Sequence, residues 1–178
     1  TTDTYNTAVG FAAGNAVTTG IQNTLIGGLA GNALTDADNN VSIGISALSA
    51  DTLGSRSIAI GRHALTAQNF TTATDSHNVD VGYSAGAAVT TGRYNTLMGN
   101  DAGASLTTGA YNVAIGHGAL DAEDSHGLNT AVGYTALGTL NAGIDGYNVA
   151  VGYTAGTAMT TGLYNTLVGG VAGAALTT

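Results

Sequence analysis

The chain has 178 residues with 28 Gly, no Pro, no Cys and no Trp, and three basic residues against eleven acids leave a formal charge of -8. That charge repels phosphate and argues against nucleic acid or an anionic membrane as a main partner, and without Cys nothing depends on disulfides. No apolar run approaches the roughly 18 residues that cross a bilayer, so no membrane insertion is expected, and an apolar fraction made mostly of Ala and Val predicts a thin core.

The first element lies in "NTAVG", residues 6 to 10, and its phrase returns throughout the chain, at Asn6, Asn23, Asn40, Ser57, Asn78, Asn95, Asn112, Asn129, Asn148 and Asn165. The intervals are 17, 17, 17, 21, 17, 17, 17, 19 and 17. Self-similarity at a fixed short period is the mark of a solenoid. The expectation is an all-β fold, a β-solenoid of ten 17-residue rungs forming one repeat array over 1–178, with no separate catalytic domain.

With the Asn as position 1, position 2 is Thr, Val or Ile in every copy, position 4 is branched or apolar, position 5 is always Gly and position 8 always Ala. The alternation at positions 2 and 4 predicts a short strand, with about three Val, Ile or Leu side chains buried per rung. The Gly after it supplies a turn or admits another backbone. The second half of the unit, "AVTTG" at 16–20 and "SLTTG" at 105–109, predicts a second short strand ended by Gly. Rungs advancing by about 4.8 Å give a rod of roughly 48 Å.

Stacking aligns Asn6, Asn23, Asn40, Asn78, Asn95, Asn112, Asn129, Asn148 and Asn165 in one column, where side-chain amides form a structural ladder and Asn tolerates a left-handed bend. Tyr5, Tyr94, Tyr111, Tyr147 and Tyr164, each just before the Asn, are expected to form an aromatic stripe. A longer period lies above the rung: from the first copy, position 9 runs Gly, Gly, Leu, Leu and repeats. The Gly rungs carry an apolar residue at position 12, while Asp51, Gln68 and Glu123 stand there in three of the four Leu rungs, which predicts that one large side chain fills the same space from either position. Leu140 is the exception. The chain ends halfway through its third four-rung module, as expected of a window onto a longer array.

Two rungs are long, at "QNFTTATDSH" (68–77) and "LNAGIDGY" (140–147), and insertions in a solenoid emerge as side loops that often carry binding. Phe70, Asp75, His77 and Asp145 are therefore the ligand-binding candidates, weighed against loops tolerated without a ligand. "TDSHN" (74–78) and "EDSHG" (123–127) contain the residue types of a hydrolytic triad, but sequence neighbours do not readily orient all three groups in relay and no G-x-S-x-G elbow accompanies them. Their acids and His have metal-ligand chemistry, yet the spacing matches neither the EF-hand nor the nonapeptide Ca²⁺ repeat. No catalytic residue, metal or cofactor is expected, although a metal or sugar site on the long loops is retained as a weaker alternative. Thr pairs at 18–19, 90–91, 107–108 and 160–161 raise an ice-binding reading, but rungs 3, 7 and 8 break the flat array it needs.

A rung costs much backbone entropy and its thin core returns little. A second apolar surface is needed, and the invariant Gly and Ala are expected to provide a face for close packing in a homo-oligomer, a parallel homotrimer. The stretches "NTAVGYTAL" (129–137) and "NVAVGYTAG…TTGLYNTLVGG" (148–170) resemble repeats in bacteriophage tail-fibre proteins, and "SIAIGRHAL" (57–65) resembles the head repeats of trimeric autotransporter adhesins. That resemblance implies a left-handed β-roll in each chain and association of three. It further implies a structural fibre shaft, on a virion tail fibre or an extracellular or cell-surface filament, that holds apart a distal domain able to bind a host cell-surface receptor or glycan. A bacterial surface adhesin or extracellular filament is the alternative.

Overall fold

The structure, a computed structural model, describes residues 4–178. Its strands are β1 (Thr7–Val9), β2 (Thr24–Ile26), β3 (Val41–Ile43), β4 (Gly54–Ser55), β5 (Ile58–Ile60), β6 (Thr74–Asp75), β7 (Val79–Val81), β8 (Thr96–Met98), β9 (Val113–Ile115), β10 (Thr130–Val132), β11 (Val149–Val151) and β12 (Thr166–Val168). Ten of them, one per rung, form a single parallel sheet in chain order, and β4 pairs with β6 in a small second sheet. Val9, Ile26 and Ile43 are direct cross-strand partners, and the register holds through Val168. The fold is a β-solenoid of about ten turns, without a helix among the described residues, and both long rungs keep this register because their extra residues leave outside the sheet.

The burial of the strand reverses the sequence expectation. Position 3 faces the core: Leu25, Ser42, Ala59, Asp80, Leu97, Ala114, Ala131 and Ala150 are all buried, while the branched residues at positions 2 and 4 point outward. The Asn decides this. Its amide must point inward to reach a carbonyl across the rung, and with side chains alternating, position 3 follows it inward and positions 2 and 4 cannot.

The second predicted strand is missing from most rungs, and only β4 and β6 pair in the second half of the unit. Residues 17–20 and 106–109 form bends, joined to the next rung by single carbonyls that accept twice: Thr35 O takes Thr18 N–H at 3.0 Å and Gly20 N–H at 3.1 Å. Two donors two residues apart converge on one oxygen only if the chain curls round it, which breaks the extended alternation.

The invariant Gly and Ala serve the chain's own coil rather than a partner. Position 5 has φ between 131° and 148°, and a Cβ on Gly27 would lie 2.6 Å from the carbonyl oxygen of Gly44 one rung away. Ala at position 8 is fully buried in the eight inner rungs. The left-handed residue is not the Asn but the one before it, from Tyr5 through Gln22, Arg56 and Leu128 to Tyr164.

The Gly–Gly–Leu–Leu period balances core volume, with one more participant than the sequence suggested. Leu25 at position 3 fills the space over both Gly14 and Gly31, where a Cβ would approach its methyls at 2.5 and 2.7 Å. Leu97 does the same over Gly86 and Gly103, while the Leu rungs set Leu48, Leu65, Leu120 and Leu137 against Ser42, Ala59, Ala114 and Ala131. A large side chain alternates between the sheet and the opposite turn, which keeps the interior close-packed.

Candidate functional site

The repeat builds one outward face along the whole ten-stranded sheet. None of its residues at positions 2 and 4 is charged, and all are Thr, Val, Ile or Met. Inner members such as Ile26, Met98 and Ile115 remain 37 to 40 % exposed although their rung neighbours flank them. An apolar ridge thus runs the length of the described chain, at one rung per strand spacing.

Aromatic stripes border this ridge. Before the strand, the ring of His77 stacks on Tyr94 at 5.3 Å, Tyr94 on Tyr111 at 4.9 Å and Tyr147 on Tyr164 at 5.3 Å, each pair within 14° of parallel. These are two segments of the stripe expected from the Tyr-Asn phrase, separated by Leu128 on the rung between them. A second stripe, at position 6, was not anticipated: His117 stacks on Tyr134 and Tyr134 on Tyr153, both at 5.4 Å, and Arg62 lies over Tyr83. Its residue types vary too much between copies to stand out as a motif, but reading the column at a fixed offset from the Gly would have found it.

Beneath the ridge, the Asn column works as a ladder between side chain and backbone. Each Asn Oδ1 accepts the backbone N–H of the residue one rung on, as in Asn95 to Asn78 at 3.0 Å and Asn112 to Asn95 at 3.0 Å. The amide nitrogen donates across its own rung to the carbonyl fourteen residues later, Asn6 to Gly20 at 2.7 Å and Asn95 to Gly109 at 2.9 Å. Asn23, Asn40, Asn78 and Asn148 repeat the pattern; Asn112 does so at 3.2 Å, and in the long eighth rung Asn129 turns to Gly127 O instead. At the last rung Asn165 N–H donates to Asn148 Oδ1 at 2.9 Å.

Ser57 interrupts the ladder, and the first long rung repairs it. Ser57 Oγ lies 2.6 Å from Ser76 Oγ and accepts Gln68 Nε2 at 2.8 Å, while Gln68 Oε1 accepts the Asn78 amide at 2.8 Å. Gln68 also donates to Asp51 Oδ2 at 2.6 Å, and Asp51 Oδ1 accepts the N–H groups of Gly54 and Phe70. Burial pushes the Asp51 carboxyl above its ordinary range, an effect opposed by the Gln68 amide and those N–H groups. Asp51 and Gln68 at position 12 are thus members of a satisfied interior network.

The ligand candidates of the long rungs do not converge. Phe70 is buried over the Asp51 network, and Asp75 pairs with Arg56 on the surface. His77 belongs to the tyrosine stripe, and Asp145 accepts Gly127 N–H at 2.9 Å on another rung. Arg56 and Asp75 are each about half exposed, so Arg56→Ala is expected to change unfolding free energy by less than about 1 kcal/mol in denaturant titration.

A groove of about 220 Å³ opens where Gly118 stands in a column that carries Asp101 and Thr135 on the neighbouring rungs. Asp101, His117 and Asp121 line it, and the Asp121 carboxyl is raised first by burial and then by the negative charge of Asp101. Two acids make it unsuited to anions. A side-chain gap in an otherwise filled column was the available sequence signal. Comparison with family models, with curated proteins and with solved structures finds no match to this chain.

Proposed function

We propose that the chain is a segment of a structural fibre shaft, built as a parallel homotrimer whose protomers pack through the outward sheet face, and that the fibre is a bacteriophage tail fibre holding a receptor-binding tip away from the particle. The observation that carries this reading is the uncharged apolar ridge, repeated at every rung. A surface periodic at strand spacing is matched along its whole length only by a partner of the same axial period, and another copy of the chain has that period by construction. Burying the ridge supplies the apolar area that the thin core lacks. The in-register ladder resists bending, and adding rungs sets the reach. The fibre assignment rests on the resemblance of the repeat phrases to tail-fibre shafts, and no nucleic acid, membrane or cofactor enters the function.

Native mass measurement tests the assembly: three protomers of 17.4 kDa give about 52 kDa. The double variant Ile115→Asp/Val132→Asp, which places charge on the outer side of adjacent strands, is expected to yield folded monomer with an unchanged far-ultraviolet spectrum. A native wild-type monomer overturns the trimer. Labelled antibody against the chain is expected to decorate tail fibres of particles, and decoration of a bacterial surface selects the adhesin alternative instead.

A further inference from the structure

Glu123, Asp124 and His126 bring three potential ligand atoms within 4.8 Å of one another at one corner of the seventh rung. Glu123 stands at position 12, a column otherwise filled by apolar side chains or by the hydrogen-bonded Asp51 and Gln68. Its side chain is fully buried. Oε1 faces His126 Nδ1 at 3.4 Å and accepts His126 N–H at 3.3 Å, while Oε2 is buried with no hydrogen-bond partner. A buried carboxylate with one orphaned oxygen lacks compensating positive charge, and the chain has no Lys and no Arg near it in sequence to provide it.

We propose that this corner is a binding site for a divalent transition cation of the Zn²⁺ type, held by Glu123, Asp124 and His126 Nδ1. Two ligands on one tetrahedral Zn²⁺ at about 2.0–2.1 Å stand roughly 3.3–3.4 Å apart, which is the Glu123–His126 separation, so only Asp124 needs to move inward. Asp124 is not tied to the core: its carboxylate lies at the surface, where Oδ1 accepts the neighbouring Ser125 hydroxyl at 2.9 Å and the Asn141 side chain is a further partner. An imidazole among two carboxylates favours Zn²⁺ or its first-row neighbours over Mg²⁺ and Ca²⁺, which take oxygen ligands. Three protein ligands leave a fourth position for water, and the His126 side chain, a quarter exposed, gives the ion a way in. The cation would pin the "EDSHG" bend to the interior of the rod. The Asp-Ser-His types that suggest a triad then have a different use: Ser125 Oγ bridges Asp124 and His126 Nδ1 at 2.9 and 3.2 Å in the metal-free corner and releases Nδ1 to the ion.

Titration of the full chain, freed of metal, with Zn²⁺ alone tests the site by calorimetry and by melting temperature. One Zn²⁺ per chain is expected to bind and raise the melting temperature. His126→Ala and Glu123→Gln are each expected to weaken binding roughly tenfold or more, the scale seen even for partners outside the coordination shell. His117→Ala, in the separate groove, is expected to leave binding unchanged. His126 lies at the surface, so its variant keeps the fold and keeps the test decisive if Glu123→Gln does not. Absence of saturable Zn²⁺ binding, binding indifferent to His126→Ala, or loss of binding on His117→Ala overturns the proposal.

Discussion

Replacing Asn95 with Ala is expected to lower the unfolding free energy by about 2–6 kcal/mol, a large fraction of the total for a chain of this size. The change removes two bonds at once. Asn112 N–H loses its acceptor at 3.0 Å and Gly109 C=O loses its donor at 2.9 Å, and both stay sealed beneath the sheet. Each buried group left unpaired costs roughly 1–3 kcal/mol, and the methyl side chain of Ala offers neither partner. Ser is tolerated at this position in Ser57 only because Ser76 and Gln68 reach in from a long rung, so Asn95→Ser is expected to recover little. Urea unfolding of the two variants, followed by circular dichroism, measures the effect. A loss below about 1 kcal/mol would mean that water reaches the ladder.

The second large effect has the opposite sign. Asp80 lies at position 3 of its rung, in the middle of β7, fully buried, with neither carboxylate oxygen hydrogen-bonded, and burial raises its carboxyl well above the ordinary value. The equivalent position in the other two modules is Ala8 and Ala150. Asp80→Ala is therefore expected to stabilise the chain at neutral pH by about 1–3 kcal/mol, the usual scale for relieving a buried unpaired polar group, with the small cavity subtracting part of it. The sign of the pH dependence follows from linkage. The native state binds this proton more tightly than the unfolded state does, so the stabilisation it contributes is complete below the ordinary carboxyl value of 3.8 and is lost as pH rises through the raised native value. The gain from Asp80→Ala should thus shrink on acidification towards pH 4, and unfolding titrations of both proteins across that range measure it. A gain that is constant with pH would show that Asp80 finds a partner in solution.

These two residues illustrate what the sequence discloses. Asn95 was legible because the ladder is a repeated local requirement, written into every rung but one, and repetition makes it visible without coordinates. Asp80 was not, because a lone acid between Val79 and Val81 reads as an outward residue until the face of the strand is known. The same ambiguity inverted the burial of Val9, Ile26 and their column: period-two alternation identifies two faces but not which of them is inside. The two Thr-rich bends resembled strands for a related reason, since their composition is strand-like and only the shared carbonyl acceptor curls them.

The candidate sites divide in the same way. Phe70, Asp75, His77 and Asp145 were chosen for lying on long rungs, and the coil disperses them into a buried cover, a surface ion pair, an aromatic stack and a turn. The groove beside Gly118 depends on columns that join residues seventeen apart, whereas the ligand types of the Glu123 corner stand together in "EDSHG" and only the burial of Glu123 needed the fold to show it.

By itself the amino-acid sequence determined the rung length, the number of rungs, the parallel register and the Asn and Tyr columns, because each follows from a period that any stacked coil must obey. Only the tertiary structure decided which face of the strand is inside. That choice belongs to the inward reach of the Asn amide across its rung, a contact between residues fourteen apart that leaves no mark in local alternation, and it is what turns the branched column outward into a ridge.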